Sequence, residues 1–346
     1  MTRSPRRDTR RRIEQLAHNP RCAANALSVA HDIPMPDVAA HLGLPSRFGQ
    51  SRFAITRGLA FEKRLFADDA EALREALVRS RVLPVGSEGF LDLRLTLAGG
   101  RVSSLDVAHR HTLELFERLH REGPFEGMPC LVAGATLRVP GDALLPDGVV
   151  ALDLLALHVE GRQIALSIGE IKVYPDRGGH TDAHQLATAR AQAGLYLHLL
   201  RTTLAEHGAT LDARDHGFLV LTRAGQNTPS VRAHEDLRFQ ARRAEVALAQ
   251  LRDAVSSAPK LDSDQRRHLA VVEAPKHYGE GCVAFCDLAD HCLDEALDCG
   301  SPAALGDEAR RALGTVSIPR ALELLKGESP THDAERDLLR RLGGPR

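Results

Sequence analysis

The sequence predicts an α/β fold: a mixed sheet flanked by helices, with further helical segments at both ends of the chain. Three observations predict it. Apolar, strand-like tracts concentrate at residues 131–174 and recur at Phe218-Leu-Val-Leu-Thr222, whereas segments before, between and after them carry helical spacing. The chain has 346 residues and 43% apolar residues, enough to bury a large core.

Residues 10–31 read as helical until Pro34 and Pro36 interrupt. A long helix is expected from about Arg57 to Ser80, with Leu59, Leu65, Phe66, Leu73 and Leu77 near one face. Pro84, Gly86 and Gly89 mark a loop, and the alternation from Phe90 to Leu97 marks a strand. His111–Glu122 is helical. Strands are expected near 131–138, 149–159 and 163–174, then a long helix over Asp182–His207 closed by Gly208. The run at 218–222 is apolar on both faces, as a buried strand is. Helices at 235–256 and 302–326 enclose a cysteine-rich stretch at 282–299. The expected division is an N-terminal helical segment at 1–50, a core at 51–256 and a C-terminal extension at 257–346.

Net charge is −1, which neither favours nor excludes a polyanionic partner. The first twelve residues hold six arginines and one acid, a composition that suits either a phosphate-contacting arm or a solvated terminus. No apolar run approaches the ~20 residues that span a bilayer, and no signal-peptide core stands near the start. A cytoplasmic protein without membrane attachment is therefore expected. In a reducing compartment six cysteines point to ligands or buried thiols, not disulfides.

The hairpin at 149–174 carries the chemistry. Two apolar strands, VVALDLLALHV and QIALSIGEIKVY, flank a tight turn at Glu160-Gly161-Arg162. A pivot between Gly161 and Arg162 puts Asp153 opposite Glu170, and Lys172 on the same face two residues further on. The same alternation holds Val149, Ala151, Leu155, Leu166 and Ile168. Charges on so apolar a face must pair or bind metal. Two readings follow: a structural ion pair, or Asp153 and Glu170 as hard-oxygen ligands of Mg²⁺ or Mn²⁺. In the second, the metal lowers the pKa of an attacking water, and Lys172 orients that water or stabilises developing charge.

Asp153, a hairpin and then Glu170-Ile171-Lys172 resemble the D…ExK signature of the PD-(D/E)XK nuclease superfamily. The resemblance implies a restriction-endonuclease-like core and phosphodiester hydrolysis. A literal Pro146-Asp147 also occurs, but Asp147 lies ~20 Å along the strand from the Glu170 level, so it is held in reserve. Gly58-Leu-Ala-Phe-Glu62 resembles the motif with which the RecB-like branch places a supporting glutamate, here Glu62, whose other reading is a solvated helix residue. Gln192-Ala-Gly-Leu-Tyr196 looks like that branch's QxxxY motif, its two polar groups on one helical face.

Cys282, Cys286 and Cys292 are closely spaced, Cys299 follows, and Cys22 lies far upstream. Clustered thiolates suit zinc or an iron–sulfur cluster. One cysteine before the core and three after it, the last two separated by five residues, resemble the iron–sulfur nucleases of the RecB-like branch, which include CRISPR-associated exonucleases and AddB-type helicase-nucleases. That resemblance implies a structural 4Fe–4S cluster on Cys22, Cys282, Cys286 and Cys292. The first C-terminal spacing has one residue more than the pattern, which bears on Cys282. A local Zn²⁺ site on Cys282, Cys286, Cys292 and Cys299 is the alternative, and Cys130 reads as a small core residue.

The function the resemblance implies is a Mg/Mn-dependent deoxyribonuclease acting on single-stranded DNA ends, an exonuclease in CRISPR adaptation, repair or anti-phage defence. With no Walker P-loop, helicase activity would come from a partner, such as a helicase or a CRISPR or defence protein. Two other classes fit the same residues: a non-catalytic nucleic-acid-binding or scaffolding protein, and a zinc-stabilised interaction module.

Overall fold

The computed structural model describes residues 16–45 except 17, 18, 20 and 32; 52–139 except 97 and 98; 148–257 except 227; and 261–342 except 262, 280, 281, 284 and 285. The arginine-rich start and Asp147 lie outside the described residues. The chain forms two compact units, one of residues within 50–246, the other of residues within 11–49 and 247–346.

Helices α1 (Ala23–Ala30) and α2 (Met35–His41) come first, followed by α3 (Arg52–Leu65) and α4 (Glu71–Arg79). Strand β1 (Phe90–Asp92) and helix α5 (Leu105–Glu122) lead to short strands β2 (Leu131–Ala133), β3 (Thr136–Arg138) and β4 (Val149–Ala151). The hairpin β5 (Leu154–Glu160) and β6 (Gln163–Asp176) is followed by α6 (Ala183–Glu206), β7 (Asp212–Ala213), β8 (His216–Arg223), β9 (Pro229–Asp236) and α7 (Arg238–Ser257). Helices α8 (Asp264–Glu273), α9 (Ala289–Cys299), α10 (Asp307–Leu313), α11 (Ile318–Leu325) and α12 (Asp333–Arg341) complete the chain.

The fold is mixed α/β, as the sequence predicts: a mixed sheet flanked by helices. Its strands run β1-β2-β5-β6-β8-β9, with β7 beside β6, and β3 and β4 pair separately. β1 with β2 and β6 with β8 are parallel, and the remaining pairs along the path are antiparallel. One face buries Phe61 and Leu65 of α3 and Leu73 and Leu77 of α4 against Leu154, Ile171, Phe218 and Val220. The other packs Leu186 and Ala189 of α6 against Leu219 and Leu221. β8 is therefore apolar on both faces because helices cover both.

The hairpin closes as the sequence indicates. Glu160 pairs with Gln163, and Gly161 supplies the positive φ of 66° that a two-residue turn needs. Gly169, one residue before Glu170, is required for a different reason. A Cβ there would stand 2.2 Å from the Phe218 ring. Gly169→Ala is expected to lower stability by about 1–3 kcal/mol, read as a lower midpoint in chemical denaturation.

Other expectations differ from the structure. The helix expected over 57–80 is two helices, because Asp68, Asp69 and Ala70 all take positive φ. The strand expected over 90–97 ends at Asp92, with a lone bridge from Leu95 to Val102 beyond it. β4 leaves the hairpin to pair with β3, so Val149 and Ala151 are not in the ladder that holds Leu155. Pro34 and Pro36 do separate helices, but they also start α2, where a missing N–H costs nothing. The helix expected over 302–326 is a 3₁₀ turn plus α10 and α11, split at Gly306 and Gly314.

In the second unit α1 and α2 pack with α8 and the cysteine-rich stretch. Ile33, Met35, Val38, Val271 and Leu288 share one core with Cys22, Cys282 and Cys286. α11 and α12 add a smaller core around Leu324 and Leu338.

Candidate functional site

The ladder of β5 and β6 runs to Leu154 opposite Gly169, so the next positions outward are Asp153 and Glu170. Asp153 is half-buried, and its carboxylate accepts the Ile171 backbone N–H at 2.9 Å, which aims it across the hairpin mouth. Glu170 is fully buried on the α6 face and pairs with Lys172 Nζ at 2.6 Å. Burial of that carboxylate is compatible with charge only because a cation touches it.

Lys172 is held from two sides. Its Nζ also donates to Gln192 Oε1 at 2.7 Å, and Gln192 Nε2 donates to the Tyr196 hydroxyl at 2.6 Å. Gln192 and Tyr196, one turn apart on α6, are both buried. A relay Glu170–Lys172–Gln192–Tyr196 results, in which the helix fixes the amine of the strand. Gln192→Ala removes that brace. The expected result is a stability loss of about 1–3 kcal/mol from the two buried hydrogen bonds it removes. A chemical denaturation curve checks it.

Glu62, half-buried on α3, lines the same cleft as Asp153, an opening of about 180 Å³ with Phe66, Arg94, Leu105 and Ile171. Sequence reading did not find Arg94. Its guanidinium makes a bidentate pair with buried Asp92, at 2.9 and 2.8 Å, and lies 3.7 Å over the Phe66 ring. An Asp-x-Arg step on a short strand carries no signal of its own. The contact with Phe66 depends on the helix break after Leu65.

The structure thus pairs Glu170 with Lys172 on the α6 face, with Gln192 and Tyr196 behind the lysine, whereas Asp153 lines the cleft with Glu62 and Ile171 on the α3 side, joined to the neighbouring strand through the Ile171 N–H. Among the described residues, no three histidine, cysteine, aspartate or glutamate side chains converge as a metal cage. Asp153 and Glu62, the two carboxylates that line one cleft, are hard-oxygen donors of the kind a divalent cation takes. Mg²⁺ characteristically takes one or two carboxylates and completes its shell with water and substrate phosphate.

Five of the six cysteines lie in the second unit. Cys22, the N-cap of α1, shares a core with Cys282 and Cys286, and Cys292 packs against it. All four are free thiols. Burial pushes Cys282, Cys286 and Cys292 up, Cys292 to about 12, and the neighbouring sulfurs of the set add to the rise. Asn19 Nδ2 and the Gly279 N–H both donate to Cys282 Sγ, at 3.0 and 3.4 Å. Soft donors gathered in an apolar core with N–H groups aimed at sulfur are a donor set that fits an iron–sulfur or zinc centre. Cys299 is exposed on α9 and outside that core, its Sγ turned to the Ala296 carbonyl. Cys130 is buried on the sheet, its Sγ donating to the Gly89 carbonyl.

No protein-family model matches the chain, and no curated protein matches it. A solved structure described as the crystal structure of SSO0001 is similar over 69% of this chain and 91% of that one, at 12% identity and a TM-score of 0.22, too slight a likeness to carry an argument.

Proposed function

We propose that the protein is a metal-dependent deoxyribonuclease with a restriction-endonuclease-like core, acting on single-stranded DNA ends and stabilised by a 4Fe–4S cluster. The observation that carries this reading is the hairpin: Asp153 and Glu170 each stand one residue beyond the end of its ladder, and Glu170 pairs with a lysine held by its own relay. A Mg²⁺ or Mn²⁺ ion bound by the two carboxylates would supply Lewis acidity toward phosphate and an acidified water. Asp153 and Glu170 would hold that ion, with Glu62 supporting from across the cleft. Lys172, fixed by Gln192, would keep its charge beside the developing negative oxygen.

The four-cysteine set supports the cluster, in which Cys22 would join the N-terminal segment to the C-terminal one. The choice of DNA, of ends and of a defence or repair setting follows the family resemblance alone. The test is anoxic purification, assay of iron, sulfide and zinc, and cleavage of labelled single- and double-stranded DNA with Mg²⁺, Mn²⁺ or EDTA. Metal-dependent cleavage that disappears in Asp153→Ala supports the reading. Equal cleavage by both proteins, or by neither, overturns it.

A further inference from the structure

Beyond Lys172, strand β6 runs on to Asp176, about 13 Å along the chain. There a second cleft opens, of about 640 Å³, lined by Asp176, Gly179, Arg223, Ser230, Arg232 and Glu235 among others. The sheet register fixes its relation to the hairpin. Glu170 pairs with Leu219 and Leu219 with Arg232, so Arg232 lies on the Glu170 row, two strands and about 10 Å away. Asp176 pairs with Arg223 in the same way.

The acids of this cleft are already committed. Asp176 is buried and accepts from Ser230 Oγ, Thr181 Oγ1 and the Gly179 N–H, at 2.6, 2.9 and 3.2 Å. Burial works against its charge, but these donors and Arg232 outweigh it and hold the carboxyl below its ordinary value. Buried Glu235 pairs with Arg190 and Arg232, and Arg232 Nη1 also donates to the Gly179 carbonyl at 2.8 Å. Arg223 is different. It is exposed, and none of the ion pairs among the described residues includes it. The lining holds Arg223 and Arg232 against Asp176 and Glu235, and Arg190 pairs with Glu235 from outside it, so the cation left uncommitted in this network is Arg223.

We propose that this cleft is a second phosphate subsite, in which Arg223 takes a backbone phosphate of a single nucleic-acid strand a few nucleotides from the hairpin. The inference rests on the hydrolytic reading of Asp153, Glu170 and Lys172. The buried network around Asp176 and Glu235 holds Arg232 and the floor of the cleft rigid. Arg223 keeps the planar fork that suits phosphate. Glycines at 178 and 179 leave open space where side chains would stand, so a strand can approach the backbone.

The test uses the full chain carrying Asp153→Ala, purified anoxically, with a fluorescent oligothymidylate followed by anisotropy across a salt series. Adding Arg223→Gln is expected to weaken binding several-fold at low salt. It should also flatten the slope of log K against log salt by about 0.7, the value for one single-strand phosphate. Arg223→Lys should keep the slope. An unchanged slope in Arg223→Gln, with the parent binding and the wild type cleaving, overturns the subsite and leaves the nuclease reading standing. A parent that binds no strand and a wild type that cleaves none overturn both. Displacement of the strand by inorganic phosphate at matched ionic strength and micromolar concentration also overturns it, because it would mark a site for the free ion.

Discussion

Asp153→Ala is expected to lower metal-dependent DNA cleavage by about 10³-fold or more while the protein stays folded. On the proposed reading a divalent cation would have few protein bonds, so losing Asp153 would forfeit most of the metal's contribution. That contribution is several kcal/mol, and each 1.36 kcal/mol is tenfold in rate. The structural cost is small by comparison. Asp153 is half-buried, and its hydrogen bond to the Ile171 N–H accounts for about 1 kcal/mol. Cleavage kinetics and a denaturation midpoint on one preparation separate the two effects. A rate loss below tenfold would remove Asp153 from the metal site. Glu170 makes a poorer probe, because removing it also breaks a buried pair with Lys172 and so lowers stability together with any activity.

Cys22→Ser is expected to abolish iron incorporation and to loosen the second unit. Metal binding by a site that the unfolded chain lacks is folding free energy, of order 10 kcal/mol for structural zinc. The loss should exceed that of any single core truncation, and proteases should cut residues 11–49 and 247–346 first. Iron and sulfide analysis with limited proteolysis reads both. Full iron content in Cys22→Ser would remove it from the ligand set. Cys299→Ser, on an exposed thiol, should change neither result. Its loss of metal, with zinc in place of iron, would instead identify the local zinc site.

The hairpin was legible because its information is local. Gly161 sets the turn and the register follows by counting as far as Leu154 opposite Gly169; the chain leaves the ladder at Asp153, which no period of two foretells. Gln192 and Tyr196 were legible as a spacing, but their partner was not: the bond to Lys172 depends on where α6 lies against β6. The break at 66–70 was hidden because FADDAEALREAL suits a continuous helix. Phe66 leaves that helix to lie beneath Arg94 and stack on Phe90, a tertiary cause. β9 was missed for a related reason. As an edge strand with only Val231 and Ala233 turned to the core, PSVRAHED has too little apolar alternation to announce itself. The Arg223 cleft joins residues some fifty positions apart through strand register, which no local window contains.

The packing of Cys22 against Cys282 also sets a timetable. The residues of the first unit lie between the two parts of the second, so about 260 residues are made after Cys22 before Cys282 exists. At roughly 5–20 residues per second, α1 and α2 wait some 13–50 s without the helices that bury them. Throughout that interval the residues that cover Ile33, Met35, Val38 and Cys22 in the folded unit, Val271, Cys282 and Leu288 among them, do not yet exist. The first unit can be complete on the ribosome before the thiol core closes, and anything that core holds must arrive at the end of synthesis.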